Sequence, residues 1–288
     1  MALNRQLGDF LRSRRAALTI DDVGLPAGGA TRRVTGLRRS EVAQLAGVSV
    51  EYYTRLEQGR AVHPSDQVLH ALADGLRLDD LERRHLIDLA RPAPTATGPA
   101  PAARVRPALR QMIEAMELSP AYVRDAGLDI VDGNALWKLV FPQVAALPRR
   151  ERNMARWTLL DPAARDVWVD WEQVAREHAR VLRVTAGAEP HNRRVAALVA
   201  ELTAASPDFA RWWGENRVHE RTTGIKRIRH PVVGDLELGY EVLRPLADPG
   251  HTLLVYTAPR GSVSSERLRL LASWGATAPL SVEGTPSP

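Results

Sequence analysis

Between Arg38 and Arg60 the chain reads RRSEVAQLAGVSVEYYTRLEQGR. Several of these side chains can read a nucleic-acid duplex. Arg55 can give two parallel hydrogen bonds to a guanine edge, Glu51 can accept from cytosine, and Val50 can meet a thymine methyl. Arg38, Arg39 and Arg60, with Ser49 and Tyr52, offer donors to phosphate oxygens. These groups act together only if one short helix presents Val50, Glu51 and Arg55 on a single face. A second helix must hold that face at the groove.

The flanking residues are of the types such a unit needs. Val42 and Leu45 predict the inner face of a helix over 37–46, and Ala43 is small enough for close approach of the next helix. Gly47 stands where the chain must turn left-handed. Val48 is the buried residue of the turn, and Ser49 is an N-cap for a helix over 50–58. Tyr53 and Leu56, three residues apart, point inward on that helix. A helix over 3–18 precedes the pair. A loop over 21–36 follows it, with Pro26, four Gly, Arg32 and Arg33. Two more helices follow, opened by Pro64-Ser65 and by Asp79-Asp80.

Charge agrees with this placement. The 288-residue chain carries a net +5, and residues 1–62 hold ten Arg against six acidic residues. A basic N-terminal third suits a polyanion, although a solvated basic face has the same composition.

The domain organisation follows from composition. Residues 1–91 predict an all-α five-helix domain. Residues 92–107, PAPTATGPAPAARVRP, hold five of the twenty Pro and read as a semi-extended linker. Residues 108–275 predict an α+β domain. It opens with a helix over 108–118 and two short strands near 121–123 and 128–131, followed by a short helix from Asn134 and a helical block over 151–217. Three period-two strands over 224–230, 234–244 and 251–258 follow, then a closing helix over 262–273. The architecture is an antiparallel sheet with a helical insert. Residues 276–288 read as a disordered tail.

In the strand over 224–230, alternation puts Lys226, Ile228 and His230 on one face and Ile225, Arg227 and Arg229 on the other. If Ile228 faces the core, an inward Lys226 or His230 can anchor a carboxylate beside an apolar pocket. Alternatively Lys226 snorkels outward and His230 bonds a backbone carbonyl. Leu236, Leu238, Tyr240 and Val242 form the inner face of the next strand. Trp137, Trp157, Trp168, Trp171, Trp212 and Trp213 are core residues at helical spacing, some of which could line an aromatic pocket.

Other chemistries find no support. There is no cysteine, so no disulfide framework or thiolate metal site. The histidines have no metal-ligand spacing, and no nucleophile elbow, phosphate loop or dinucleotide fingerprint occurs. No catalytic residue and no metal are expected. The N-terminus lacks an apolar signal region, and no apolar run is long enough to span a bilayer; a cytoplasmic protein without membrane contact is the expectation.

Residues 37–60 resemble the helix-turn-helix of XRE-type (Cro/repressor-like) regulators. The segments LDPAARDVWVDWEQVARE, SPDFARWW and GIKRIRHPVVGDLELGYEVLR resemble the C-terminal domain of MmyB-like transcriptional regulators. The resemblance covers roughly 5–273 and implies a PAS-like ligand-binding domain. It implies a bacterial regulator and double-stranded operator DNA as a partner, with a small apolar, fatty-acid-like ligand and no other cofactor. One departure is Gly133, where the family tends to place an aromatic before the Asn. The expected ligand-binding residues are Tyr122, Asn134, Trp137, Lys226, His230 and Tyr240. A homodimer on a pseudo-palindromic operator is expected. The alternative is a C-terminal domain that binds another protein rather than a small molecule.

Overall fold

The structure, a computed structural model, describes residues 2–25, 36–60, 64–91, 104–215, 221–248 and 250–277. In chain order the elements begin with α1 (Ala2–Ala17), α2 (Ile20–Val23), α3 (Arg39–Leu45), α4 (Val50–Glu57), α5 (Asp66–Gly75), α6 (Asp80–Ala90) and α7 (Pro107–Glu114). Then come β1 (Ala121–Asp125), β2 (Ile130–Gly133), α8 (Ala135–Val140), α9 (Pro142–Ala146), α10 (Met154–Leu160), α11 (Ala163–Val167) and α12 (Trp171–Ala188). The chain closes with α13 (Arg193–Ala205), α14 (Pro207–Gly214), β3 (Thr223–His230), β4 (Gly234–Leu243), β5 (His251–Thr257) and α15 (Val263–Thr277).

The expected architecture is present: a helical N-terminal region followed by a domain with a five-stranded antiparallel sheet and helices. Details differ. The loop expected over 21–36 begins with the short helix α2, because Thr19 and Asp22 cap each other reciprocally. Its remainder, with Arg32 and Arg33, lies outside the described residues. The linker expected over 92–107 is described only from Arg104. There Val105 is buried in an apolar cluster and Pro107 opens α7, so these last residues serve the fold instead of spacing it. The first helix of the second domain ends at Glu114, not Leu118, ahead of Pro120. The closing helix runs to Thr277, two residues into the expected tail, and the rest of that tail lies outside the described residues.

Two compact units result. One comprises Met1–Thr97 together with Arg176–Glu220, and the other Gly98–Ala175 with Arg221–Pro288. The border falls inside α12. Helices α13 and α14 therefore pack with the N-terminal helices, although they follow the start of the sheet in the chain.

In the first unit Leu7, Phe10, Leu11, Leu37, Val42, Tyr53, Leu56, Leu72 and Leu86 make one core, and Val184 of α12 packs against it. In the second, the sheet order is β2-β1-β5-β4-β3, every pair antiparallel. One face carries Tyr122, Leu236, Leu238, Tyr240, Leu254 and Tyr256 against α8, α10, α11 and α15. The other carries Ala121, Val123, Val131 and Leu253 against α7. Both outer strands meet an extra segment. Trp168 bridges Ile228 and Val169 N–H donates to Arg227 O at 3.1 Å beside β3, while Asp129 bridges Asn153 and Ile130 N–H donates to Arg152 O at 2.7 Å beside β2.

Candidate DNA-reading surface and sensor core

The turn between α3 and α4 is closed as its residue types require. Gly47 has φ 63°, and Val48 N–H donates to Ala43 O at 3.0 Å. Ser49 Oγ accepts Tyr52 N–H at 3.1 Å, which leaves its own O–H available as a donor. Glu41 Oε2 accepts Arg38 N–H at 2.5 Å at the start of α3. Tyr53 and Leu56 are buried, so α4 turns Val50, Glu51 and Arg55 outward, with Tyr52 half-buried at the margin. Arg38, Arg39, Ser49 and Arg60 are exposed around them.

The sequence reading missed what holds this head rigid. Glu57, 2 % exposed, accepts from Arg15 Nε at 2.6 Å and from Arg39 Nε at 2.7 Å. Its burial opposes ionisation, but hydrogen bonds from Arg15 and Arg39 outweigh that and hold its pKa below the usual carboxylate range. Arg15 also donates to Leu37 O at 2.8 Å, and Arg12 donates to Glu57 O at 3.2 Å. A Cβ on Gly8 would lie 2.3 Å from Glu57 O, so α1 and α4 touch backbone to backbone. One carboxylate therefore joins α1, α3 and α4. Glu57 follows Tyr53 by four residues and so falls on the buried stripe of α4; that spacing was the available signal.

In the same unit, α12 and α14 cover α1 and α6. The Arg183 guanidinium lies 3.8 Å over the Trp213 ring and donates to Trp213 O. Burial lowers the Arg183 pKa to about 10, against the attraction of Asp9. Ser13 Oγ donates to Glu215 O at 2.7 Å. His85, 3 % exposed, meets Phe10 edge-on at 5.1 Å, and a Cβ on Gly187 would stand 2.4 Å from its Cε1. Burial, then Arg183 and Arg14, lower the His85 pKa to about 3.

In the sheet unit Tyr122, Trp137 and Tyr240 share one core with Phe141, Trp157, Trp168 and Tyr256. Lys226 and His230 lie on the same inner face, both buried, while Ile225, Arg227 and Arg229 face outward as the alternation requires. Lys226 Nζ sits 5.1 Å from the Tyr240 ring centroid. His230 uses both ring nitrogens on backbone. Nδ1 faces the N–H groups of Val232 at 3.2 Å and Val233 at 3.3 Å, so the proton belongs on Nε2, which donates to Leu139 O at 2.9 Å.

Asn134 is spent in the same way. Its Oδ1 accepts from Ala121 N at 3.1 Å and Trp137 N at 2.9 Å, and its Nδ2 reaches Ile113 O, Met116 O and Ser119 O within 3.1 Å. It caps α8 and fastens the end of α7 to β1. The glycine before it also has a reason: a Cβ at Gly133 would lie 2.5 Å from Trp137 Cε3, so the indole packs on bare backbone. Arg124, which sequence reasoning passed over, is buried on β1, and its charge acts on both Tyr122 and Tyr256. Trp212 and Trp213 belong to the other unit.

A helix-turn-helix head with outward Val50, Glu51 and Arg55 is carried on one chain with a sheet domain of closed aromatic core. Residues 105–271 match the MmyB-like transcription regulator ligand binding domain, and residues 6–86 match a helix-turn-helix domain. The chain belongs to the MmyB-like transcription regulators. Comparison with curated proteins finds no match. Both matched families are regulatory, one binding DNA and one binding a ligand, and the protein is a ligand-responsive transcription regulator. Among the described residues no helix is long and apolar enough to cross a membrane.

Proposed function

We propose that the protein binds a pseudo-palindromic operator as a homodimer, with α4 in the major groove. Val50, Glu51 and Arg55 read bases, and Arg38, Arg39, Ser49, Tyr52 and Arg60 hold phosphates. The supporting observation is the outward face of α4, set in a ring of exposed arginines on a head clamped by Glu57. The sheet unit takes up a small apolar ligand, of which a fatty acid is one form. Tyr122, Trp137, Tyr240 and Lys226 stand nearest that role, because Asn134 and His230 have given their polar atoms to backbone. Ligand state reaches the head through 176–215, a stretch of the matched ligand-binding domain that packs into the DNA-binding unit. A polarisation titration with a selected operator, repeated with decanoate, tests this. Salt-independent binding removes the DNA reading; decanoate binding that leaves operator affinity unchanged removes the switch.

A second reading has one observation in its favour. Val263, Leu270 and Trp274 of α15 are each more than half exposed at helical spacing, and such a stripe suits a protein partner. Substituting Leu270 and Trp274 by Ser would then abolish regulation while ligand binding survives.

A further inference from the structure

The sensor core is unusual in its donors. Phe141 sits among Trp137 (ring centroids 6.3 Å apart), Trp157 (6.4 Å), Trp168 (5.3 Å) and Tyr256 (5.8 Å). All three indoles are at most 2 % exposed, and each has a buried Nε1–H with no hydrogen-bond partner. A buried tryptophan normally finds an acceptor for that proton, because leaving it bare forfeits its hydration. Trp171, on the same unit, shows the ordinary case: its Nε1 donates to Thr158 O at 2.7 Å. Three bare donors on rings packed about one phenyl ring are a concentrated cost; Thr158 Oγ1 in this core is bare as well, and Trp212 Nε1 in the other unit makes no hydrogen bond either.

Phe141 is also placed to move. It ends α8 and begins α9, with φ −122° and ψ 59°, so neither helix holds it in helical geometry. The Phe141 N–H donates to Trp137 O at 2.9 Å and its carbonyl accepts from Ala145 N–H at 3.0 Å, so moving the ring out means turning α8 and α9 about this joint.

We propose that the Phe141 shell is the sensing site in its closed form. Its ligand is a ring-sized apolar molecule bearing an oxygen acceptor, such as a ketone, ester or carboxylate. The ligand displaces Phe141, and its oxygen takes hydrogen bonds from one or two of the indole N–H groups of Trp137, Trp157 and Trp168, as its two lone pairs allow. The inference rests on the ligand-sensing reading above and deepens it: the site selects for acceptors, not for apolar bulk alone. The charge of Arg124, felt by Tyr122 and Tyr256, favours the same electron-rich class.

Acetophenone and ethylbenzene are close in size and differ by one carbonyl oxygen. The full-length protein, labelled with nitrogen-15 in its seven tryptophans, is titrated with each, and indole N–H signals are assigned by single Trp→Phe variants. Acetophenone is expected to move one or two of the Trp137, Trp157 and Trp168 signals downfield and to bind more tightly than ethylbenzene. The Trp→Phe variant of each indole whose signal shifts is expected to weaken acetophenone by roughly two- to tenfold, the worth of one hydrogen bond, and to leave ethylbenzene unchanged. Phe141→Ala should bind acetophenone more tightly than the parent does, because the ring's volume is already open. Equal affinity for the two probes, or shifts confined to Trp171, Trp212, Trp213 and Trp274, overturns the proposal. So does the absence of binding by either probe to the parent protein. Acetophenone binding that leaves operator affinity unchanged would instead count against the switch and leave the site standing.

Discussion

Arg39 Nε lies 2.7 Å from Glu57 Oε2, so an arginine on the rim of the DNA-reading face is tied to a fully shielded carboxylate. The partners are unequal. Arg39 is half exposed and its share is screened, whereas Glu57 depends on its arginines to remain charged while buried. Glu57→Gln is expected to cost roughly 3–5 kcal/mol, because Arg15 and Arg39 then converge on a neutral group. Arg39→Ala should cost under about 1 kcal/mol, since Arg15 still serves Glu57. Urea denaturation of the two variants measures the difference.

The two classes of DNA contact separate by salt. Arg55→Ala should weaken the cognate operator by roughly 1–3 kcal/mol and relax preference at one base pair. Arg38→Ala should weaken all sequences alike and reduce the salt slope by about one. Titrations at several salt concentrations, on the operator and on a scrambled duplex, test both. A uniform loss from Arg55→Ala would argue against base reading there.

His85 gives stability a defined dependence on pH. Its ordinary pKa is 6.5 and burial lowers it to about 3 in the folded chain. The unfolded chain therefore binds the proton first. Stability from this site is complete above about pH 6.5 and falls by about 1.4 kcal/mol per pH unit as the pH drops from there towards 3. Glu57 adds to the loss below its ordinary value of 4.5, its folded pKa being lowered. His85→Leu should remove the upper part of the slope. Chemical denaturation of both proteins between pH 7 and pH 5 checks it.

Gly187 and His85 should behave as a pair. Gly187→Ala places a methyl 2.4 Å from His85 Cε1, so the buried imidazole or the α12 backbone must shift. A loss of roughly 1–3 kcal/mol is expected. In the His85→Ala background the same substitution should cost much less, and a double-mutant cycle isolates the coupling. Amide exchange over 176–215 should rise in Gly187→Ala alone.

Asn134→Ala removes the cap of α8 and leaves the N–H of Ala121 and the carbonyls at the end of α7 without their partner. A loss of roughly 2–4 kcal/mol is expected. Asn134→Asp should do nearly as much harm, since a carboxylate cannot donate to those carbonyls. Thermal unfolding followed at the near-ultraviolet tryptophan signal reads the effect on the sensor core.

Local chemistry made much of this legible. The positive φ of Gly47, the Ser49 cap and the alternation of β3 each follow from a few neighbouring residues. The sequence left open whether Lys226 snorkels outward, which it does not, and whether His230 bonds a backbone carbonyl, which it does. What escaped was non-local. Arg15 follows Leu11 by four residues and Glu57 follows Tyr53 by four, so two opposite charges on two apolar stripes could have announced their pairing across 42 residues. The packing of α13 and α14 with the first helices leaves no comparable mark, since their own periodicity states only that one face is buried. The family resemblance puts Asn134 at the pocket edge, and nothing local in the sequence announces its hydrogen bonds to the backbone. Five backbone partners decide how it is spent here.

The sheet has two outer strands, and each is met by a neighbouring segment over part of its length. Residues 168–169 lie against β3 and residues 152–153 against β2, each making backbone pairs over one or two positions and then turning away. A strand from another molecule would have to displace these segments before it could pair along the whole edge. Pairing of two chains strand to strand is thereby hindered at these positions, and cutting away the Trp168 or Asn153 segment should raise the tendency of concentrated solutions to form cross-β fibres.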